Sequence, residues 1–193
     1  MSPLEQADLI RNIVTFWFGD PGSDDFAAPR RRWFVANPTF DDEIRNRFSE
    51  VIERARTGAL DDMYCCPEGA LALILVLDQF PRNIHRGTPQ AFATDAKARA
   101  LAARALDDGF DRALLPMQRL FMYLPFEHSE DIQDQLRAVA LIDALGAGEQ
   151  VDYARRHLEI IDRFGRFPHR NETLGRPSTP EERAFLKQPG SSF

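Results

Sequence analysis

Apolar residues recur every three to four positions along almost the whole chain, and no stretch alternates with period two. That pattern admits helices and predicts no sheet. Leu9, Ile13, Phe16 and Trp17 share one face of a first helix, which Gly19 can end. A second helix carries Phe40, Ile44, Phe48, Val51, Ile52 and Ala55, with Thr39 and Asp42 suited to its start and Gly58 to its end. Pro67 opens a third that is apolar all round through Leu71, Ile74, Leu75 and Leu77, so it belongs inside a bundle. A fourth starts at Thr88 or Thr94 and is rich in alanine from Ala96 to Ala105. Pro116 opens a short fifth, which Pro125 stops. Ser129 suits the N-cap of a sixth that reaches Gly146, with Glu130 and Asp131 complementing the helix dipole. A seventh runs from Glu149 to Phe164, and Ser178-Thr179 before Pro180-Glu181-Glu182 is a capping box for a short last helix. The expectation is an all-α fold of seven to eight helices in antiparallel hairpins. Units of about 40 residues suggest an α-solenoid-like or compact array. A chain of 193 residues is expected to form one domain, 1–193.

Charge narrows the partners. With 24 Lys and Arg against 30 Asp and Glu, the net charge is -6. A general nucleic-acid binder needs excess positive charge to displace counterions, and an acidic membrane surface would repel this chain, so neither partner is expected. The longest apolar run, Ala70 to Leu77, is too short to span a bilayer. Met1 to Asp8 has no basic or apolar leader character, and the only cysteines are the adjacent Cys65 and Cys66, read as inert packing at a helix start. A reduced, cytoplasmic setting is expected.

Three helix ends concentrate polar residues. They are Asp78-Gln79-Phe80-Pro81-Arg82-Asn83-Ile84-His85-Arg86, then Tyr123-Leu124-Pro125-Phe126-Glu127-His128-Ser129-Glu130, then Arg163-Phe164-Gly165-Arg166-Phe167-Pro168-His169-Arg170-Asn171. The first and third echo each other in Phe-Pro followed by Arg-Asn, and a helix broken at Phe-Pro would project its next residues from a rigid corner. In stacked hairpins alternate helix ends share an edge. That would gather Asp78, Arg82, Asn83, Glu127, His128, Glu130, Arg166, His169, Arg170 and Asn171 in one place, with His157 of the seventh helix able to point toward it.

The residue types allow three readings. Arg82, Arg166 and Arg170 could bind a carboxylate or phosphate bidentately, making the chain a binding module for an anionic small molecule or peptide. Alternatively, His128 with Glu127 or Glu130 could do general acid–base work in a hydrolase or lyase. Third, Asp78, Glu127 and Glu130 could neutralise the arginines as buried ion pairs that lock hairpin to hairpin, leaving function to a protein-contact surface. No metal site is expected, because the spacing around His128 is not that of a helical metal motif. Ser129 lacks the glycine-rich elbow of a nucleophile. No cofactor is indicated.

These residues also carry a resemblance. Asp78-Gln79-Phe80-Pro81-Arg82-Asn83, Ala91-Phe92 with Asp95, Glu127-His128-Ser129-Glu130 with Gln135, His157, and Phe164 through Asn171 with Leu174-Gly175-Arg176 are similar to the bacterial family catalogued as domain of unknown function 924. Phe16-Trp17-Phe18-Gly19 and Trp33-Phe34 fit it too. The resemblance covers nearly the whole chain. It implies an all-helical fold related to tetratricopeptide-like superhelices, and it carries over no activity and no catalytic residue. The chain departs from the family where a Trp tends to precede the proline: here Asp61-Asp62-Met63-Tyr64-Cys65-Cys66 stands, with Tyr64 as its substitute.

Overall fold

The computed structural model describes residues 1–146 and 148–191, and among these every regular element is helical. Eight helices follow in order: α1 (Pro3–Phe18), α2 (Pro38–Arg56), α3 (Pro67–Ile74, continuing through Leu75–Gln79 into Phe80–Ile84), α4 (Asp95–Asp107), α5 (Pro116–Glu127), α6 (Ile132–Asp143), α7 (Gly148–Phe164) and α8 (Pro180–Phe185). The chain divides into two compact units, one of Met1–Arg86 with Gln90–Pro125, the other of Gly87–Pro89 with the residues from Phe126 onward. Among the described residues no helix is long and apolar enough to cross a membrane.

In the first unit, α1 starts at a capping box: the Glu5 amide donates to Ser2 Oγ and the Ser2 amide to Glu5 Oε2. Gly19 ends it at φ 97°, a left-handed-side conformation that suits glycine. The face read from the sequence buries Ile13, Phe16 and Trp17 against an aromatic core. Trp17 stacks on Trp33 at 6.1 Å, and Phe121 of α5 meets Trp33 edge-on at 4.9 Å. The Trp33 indole donates to the Trp17 carbonyl, so its polar edge is satisfied inside the core. Helix α2 begins at Pro38 with Asn37 as its cap, ahead of the Thr39 and Asp42 expected there. Asn37 prevails because its carboxamide accepts the Phe40 amide while Pro38 fills the first helical position. Helix α3 is the buried helix expected, with Ala70 to Phe80 all inside. Its first turn lies so close to the short 3-10 turn Asp61–Met63 that a Cβ on Gly69 would overlap the Met63 carbonyl oxygen.

The expected break at Phe80-Pro81 does not occur. Proline has no N–H and clashes with the carbonyl four residues back, here that of Leu77. The helix accommodates this by widening into a π turn over Leu75–Gln79, with the Phe80 amide donating to Leu75, five residues back. The Leu77 carbonyl instead receives the Thr94 hydroxyl, and the Asp78 carbonyl receives Arg82 Nη1 at 2.6 Å. Two carbonyls at this turn therefore receive side-chain donors.

In the second unit a short connection folds α7 back on α6, and Arg155 of α7 pairs with Asp143 at the end of α6. Ile160, Ile161 and Phe167 form its core, with Ile132, Phe164 and Phe185 packed against them. Helix α5 passes the expected stop at Pro125 and ends at Glu127. The carboxamide of the fully buried Gln135 donates to the carbonyls of Glu127 at 2.6 Å and Ser129 at 2.7 Å, receiving that helix end. Helix α6 is capped by Asp131, not by Ser129: the Asp131 carboxylate accepts the Gln133 amide, and Ser129 Oγ is engaged with Asp134. Helix α8 has the predicted capping box between Thr179 and Glu182.

Candidate functional site

The first polar cluster lies wholly in the first unit. The π turn places Asp78 at the centre of the core, fully buried, where Gln79 Nε2 donates to its Oδ2 at 2.6 Å. Arg82 reaches Asp78 Oδ1 at 3.1 Å and forks onto both oxygens of Asp95 at 2.8 Å. Burial disfavours the charged guanidinium, yet Asp78 and Asp95 outweigh it and hold its pKa above the ordinary value. Asn83 and Arg86 converge on Asp41 of α2, at 2.7 Å and 2.8 Å. Arg82, Asn83 and Asp78 thus link α3 to α4 and α2 as an ion-pair network.

From Phe126 onward the second cluster belongs to the second unit, where it meets the third. Phe167, Pro168, His169 and Arg170 lie just past α7, and Pro168–Arg170 is a 3-10 turn. Here proline starts the turn, whereas Pro81 sits within a helix, so the two Phe-Pro sequences have different geometries. Glu130 draws the turn in: its Oε1 accepts the Phe167 amide at 2.8 Å, and its two oxygens grip the Arg176 guanidinium at 2.7 and 2.9 Å. Burial raises the Glu130 pKa, but Arg176 and the Phe167 amide prevail and hold it below the usual carboxylate range. Arg176 Nε also donates to Asn171 Oδ1, and Asn171 Nδ2 to Ser178. Arg166 forks onto Glu182 at 2.6 and 2.8 Å, and this pairing with the Thr179 amide holds Glu182 at a pKa of about 2.

Within this frame the ring of Phe167 collects the remaining polar groups. His157 meets it edge-on with centroids 5.5 Å apart, His169 lies at 5.5 Å, and the Arg170 guanidinium carbon stands 4.5 Å from the ring centroid. His157 Nδ1 lies 2.9 Å from the Tyr153 carbonyl and 3.3 Å from Glu127 Oε1. A carbonyl can only accept, so Nδ1 carries the proton and the lone pair is on Nε2. Burial pushes the His157 pKa down to about 3, against the pull of the Tyr153 carbonyl; His128, Arg170 and His169 push it the same way. Burial likewise takes His169 down to about 4, helped by Arg170 and opposed by Glu130. Both imidazoles are therefore neutral bases at physiological pH. His128 completes the set from the end of α5, within electrostatic range of both. Among the described residues no group of three or more His, Cys, Asp and Glu is arranged to hold a metal ion.

The second unit thus brings together Glu127, His128, Glu130, His157, Arg166, His169, Arg170 and Asn171. Their roles divide: Glu130, Arg166 and Asn171 brace the chain, while His157, His169 and Arg170 ring Phe167. Three contributors were absent from the expected set. Arg176 is the partner of Glu130, Phe167 is the ring at the centre, and Gln135 receives the end of α5. Nothing in spacing marks Gln135, a polar residue at a core position of α6. Its Oε1 is buried and finds no hydrogen-bond partner among the described residues. Cys65 and Cys66 do precede α3, but they are not packed away: Cys65 is exposed and Cys66 half-buried.

The arrangement defines an all-helical protein with a buried imidazole–guanidinium cluster braced by carboxylate–arginine pairs. The model of the family described as "Bacterial protein of unknown function (DUF924)" matches residues 13–190, and the chain belongs to that family. Its fold is similar to the solved structure of a protein of unknown function, ATU0120 from Agrobacterium tumefaciens. The two are 43% identical with a TM-score of 0.85, over 94% of this chain and 98% of that one. No curated protein matches the chain.

Proposed function

We propose that the protein is a cytoplasmic binding module for a small anion, a carboxylate or phosphate borne by a metabolite or a peptide end, taken up at the cluster around Phe167. One observation carries this reading: His157 of α7 and the neighbouring His169 and Arg170 of the 3-10 turn converge on one ring, with His128 nearby. A guanidinium offers a planar fork to an oxyanion, and the neutral His169 can add one directional donor without further charge, while His157 packs against the Phe167 ring with its own N–H held by Tyr153. Arg166 and Arg82 serve the frame, with Glu182 on the one and Asp78 and Asp95 on the other. Helical hairpins of the tetratricopeptide-like kind would present such a cluster on a rigid frame.

The test is thermal denaturation with inorganic phosphate, citrate and a short peptide with a free carboxylate. A saturable rise in Tm is expected for at least one of them, following the stabilisation that any native-state ligand confers. Arg170→Gln and His169→Ala should abolish the rise while Arg82→Gln retains it. No rise with any probe, or an equal rise in the Arg170 and His169 variants, overturns the reading.

A second reading rests on the Glu127–His157 pair. A carboxylate and a carbonyl that orient Nδ1–H leave Nε2 as a base, the logic of general-base catalysis in a hydrolase or lyase. In this reading His157, not His128, carries the proton transfer, and Glu130 takes no part because it holds Arg176. Turnover of an activated ester that His157→Gln abolishes, with Tm unchanged, would favour it over simple binding.

A further inference from the structure

The cluster of the second unit leaves a different feature of the first unit without a role. A groove of about 790 Å³ opens beside α1, walled by Ile10, Val14, Phe26 and Leu115, with Cys65 and Cys66 on its side. Adjacent cysteines are unusual partners. Their Cα atoms are about 3.8 Å apart across a trans peptide, below the roughly 4.4–6.8 Å that disulfides prefer. A direct S–S bond is thus disfavoured. In this structure the two sulfurs nevertheless face each other at 3.7 Å, and the Gln6 carboxamide steadies Cys65 by donating to its Sγ at 3.5 Å and to the Asp62 carbonyl at 2.8 Å.

A gap of 3.7 Å is the span of one bridging atom. Two bonds of about 2.3 Å, the length of a metal–thiolate bond, cover it at an interbond angle of about 107°. That angle is pyramidal or tetrahedral. A linear two-coordinate ion would need its sulfurs about 4.6 Å apart with the same bonds. A tetrahedral zinc ion would need two more protein ligands, and no group of three or more His, Cys, Asp and Glu among the described residues is placed to hold one. A trivalent pyramidal centre needs only the two thiols and keeps its own third substituent. The groove supplies an apolar berth for that substituent.

We propose that Cys65 and Cys66 form a chelating site for trivalent arsenicals, with the apolar groove holding an organic group borne on the arsenic. The step is a condensation. Two As–OH bonds of an arylarsonous acid break and two As–S bonds form. Each thiol proton leaves on a hydroxyl as water, and arsenic stays trivalent throughout, so no oxidant or reductant is needed. Burial pushes the Cys66 thiol up, which keeps it protonated and in the form this condensation consumes.

The experiment uses the whole chain with phenylarsine oxide and with arsenite, read by intact mass, by thiol titration and by the dithiothreitol concentration that releases the adduct. One phenylarsenic adduct per chain and loss of both titratable thiols are expected. Phenylarsine oxide should resist release better than arsenite, because only it places an apolar arm in the groove. Cys65→Ser and Cys66→Ser, each checked for an unchanged Tm, should release the adduct at roughly 100-fold lower dithiothreitol, the loss expected when a two-point attachment becomes one-point. Ala7→Phe, at an exposed position on the groove, should bring the two reagents to parity while both thiols still react. Retention of the adduct at wild-type strength by either serine variant overturns the chelate. Equal release of phenyl and plain arsenic from the wild type overturns the role of the groove.

Discussion

His157→Gln should flatten the acid sensitivity of the protein, and the size of the effect follows from burial. The imidazole titrates at 6.5 when solvated and at about 3 in the folded chain. Below pH 6.5 the unfolded chain therefore holds one more proton at this position than the folded one. Its contribution to stability is complete above 6.5 and is lost as the pH falls from 6.5 toward 3, at about 1.4 kcal/mol per pH unit. Between pH 7.5 and 5.0 the loss from this residue is about 2 kcal/mol. With a typical slope of about 2 kcal/mol/M, the midpoint of urea denaturation falls by about 1 M. Glutamine cannot titrate, so in His157→Gln that part of the fall disappears. The acid response of His169, which has the same sign, remains in both proteins. Urea curves by circular dichroism at the two pH values measure the difference, and hydrogen exchange of the α7 amides localises it. An unchanged pH response in the variant refutes the reasoning. Greater stability of the wild type in acid would refute it differently, since that sign requires a protonated His157 paired with Glu127.

Other perturbations follow from the same geometry. Thr94→Val should cost about 1–2 kcal/mol by stranding the Leu77 carbonyl, and should cost less in Pro81→Ala, where a backbone N–H is again present; urea denaturation of the four proteins closes the cycle. Gly69→Ala should lower stability by about 1–3 kcal/mol, because the new methyl displaces the Met63 turn; an unchanged Tm would contradict the close approach. Glu130→Gln should cost about 1–3 kcal/mol through loss of the Arg176 fork, and a smaller penalty in an Arg176→Met background would identify the pair as its source.

The helices were legible because burial imposes a period on the sequence. Leu9 to Trp17 and Phe40 to Ala55 fall on the faces read for them, and the apolar third helix is central. Boundaries were less legible where two caps compete. Ser129 looks like the cap of α6, but Gln135 claims its carbonyl and Asp134 its hydroxyl, and Asp131 takes the role. Pro81 and Pro125 read as breaks because the cost of proline within a helix is local, while its remedy is not. Thr94, thirteen residues beyond Pro81, supplies the donor that the proline lacks. The polar clusters were found by composition, but their pairings were not. Arg166 and Glu182 are as good a fork as any ligand could make, and only coordinates reveal that the fork is filled. The sequence marks Phe167 only as the residue before a proline, because a core phenylalanine looks the same whether it faces isoleucines or imidazoles.

The widened turn in α3 sets a reading frame for everything after it. Each residue turns an α-helix by about 100°, and the wider turn cancels that rotation for its extra residue, so the side chains beyond it keep their inward face. The wider turn takes up that residue within itself, so removing one of residues 75–77 would restore a uniform pitch and leave Arg82 turned toward Asp95, whereas removing one beyond the turn, where the pitch is α-helical, would swing the residues after it by about 100°. Length is therefore under tighter constraint after the turn than within it: a family member one residue shorter inside the turn would keep the Asp78–Arg82–Asp95 linkage but lose the slack that lets Pro81 sit in a helix.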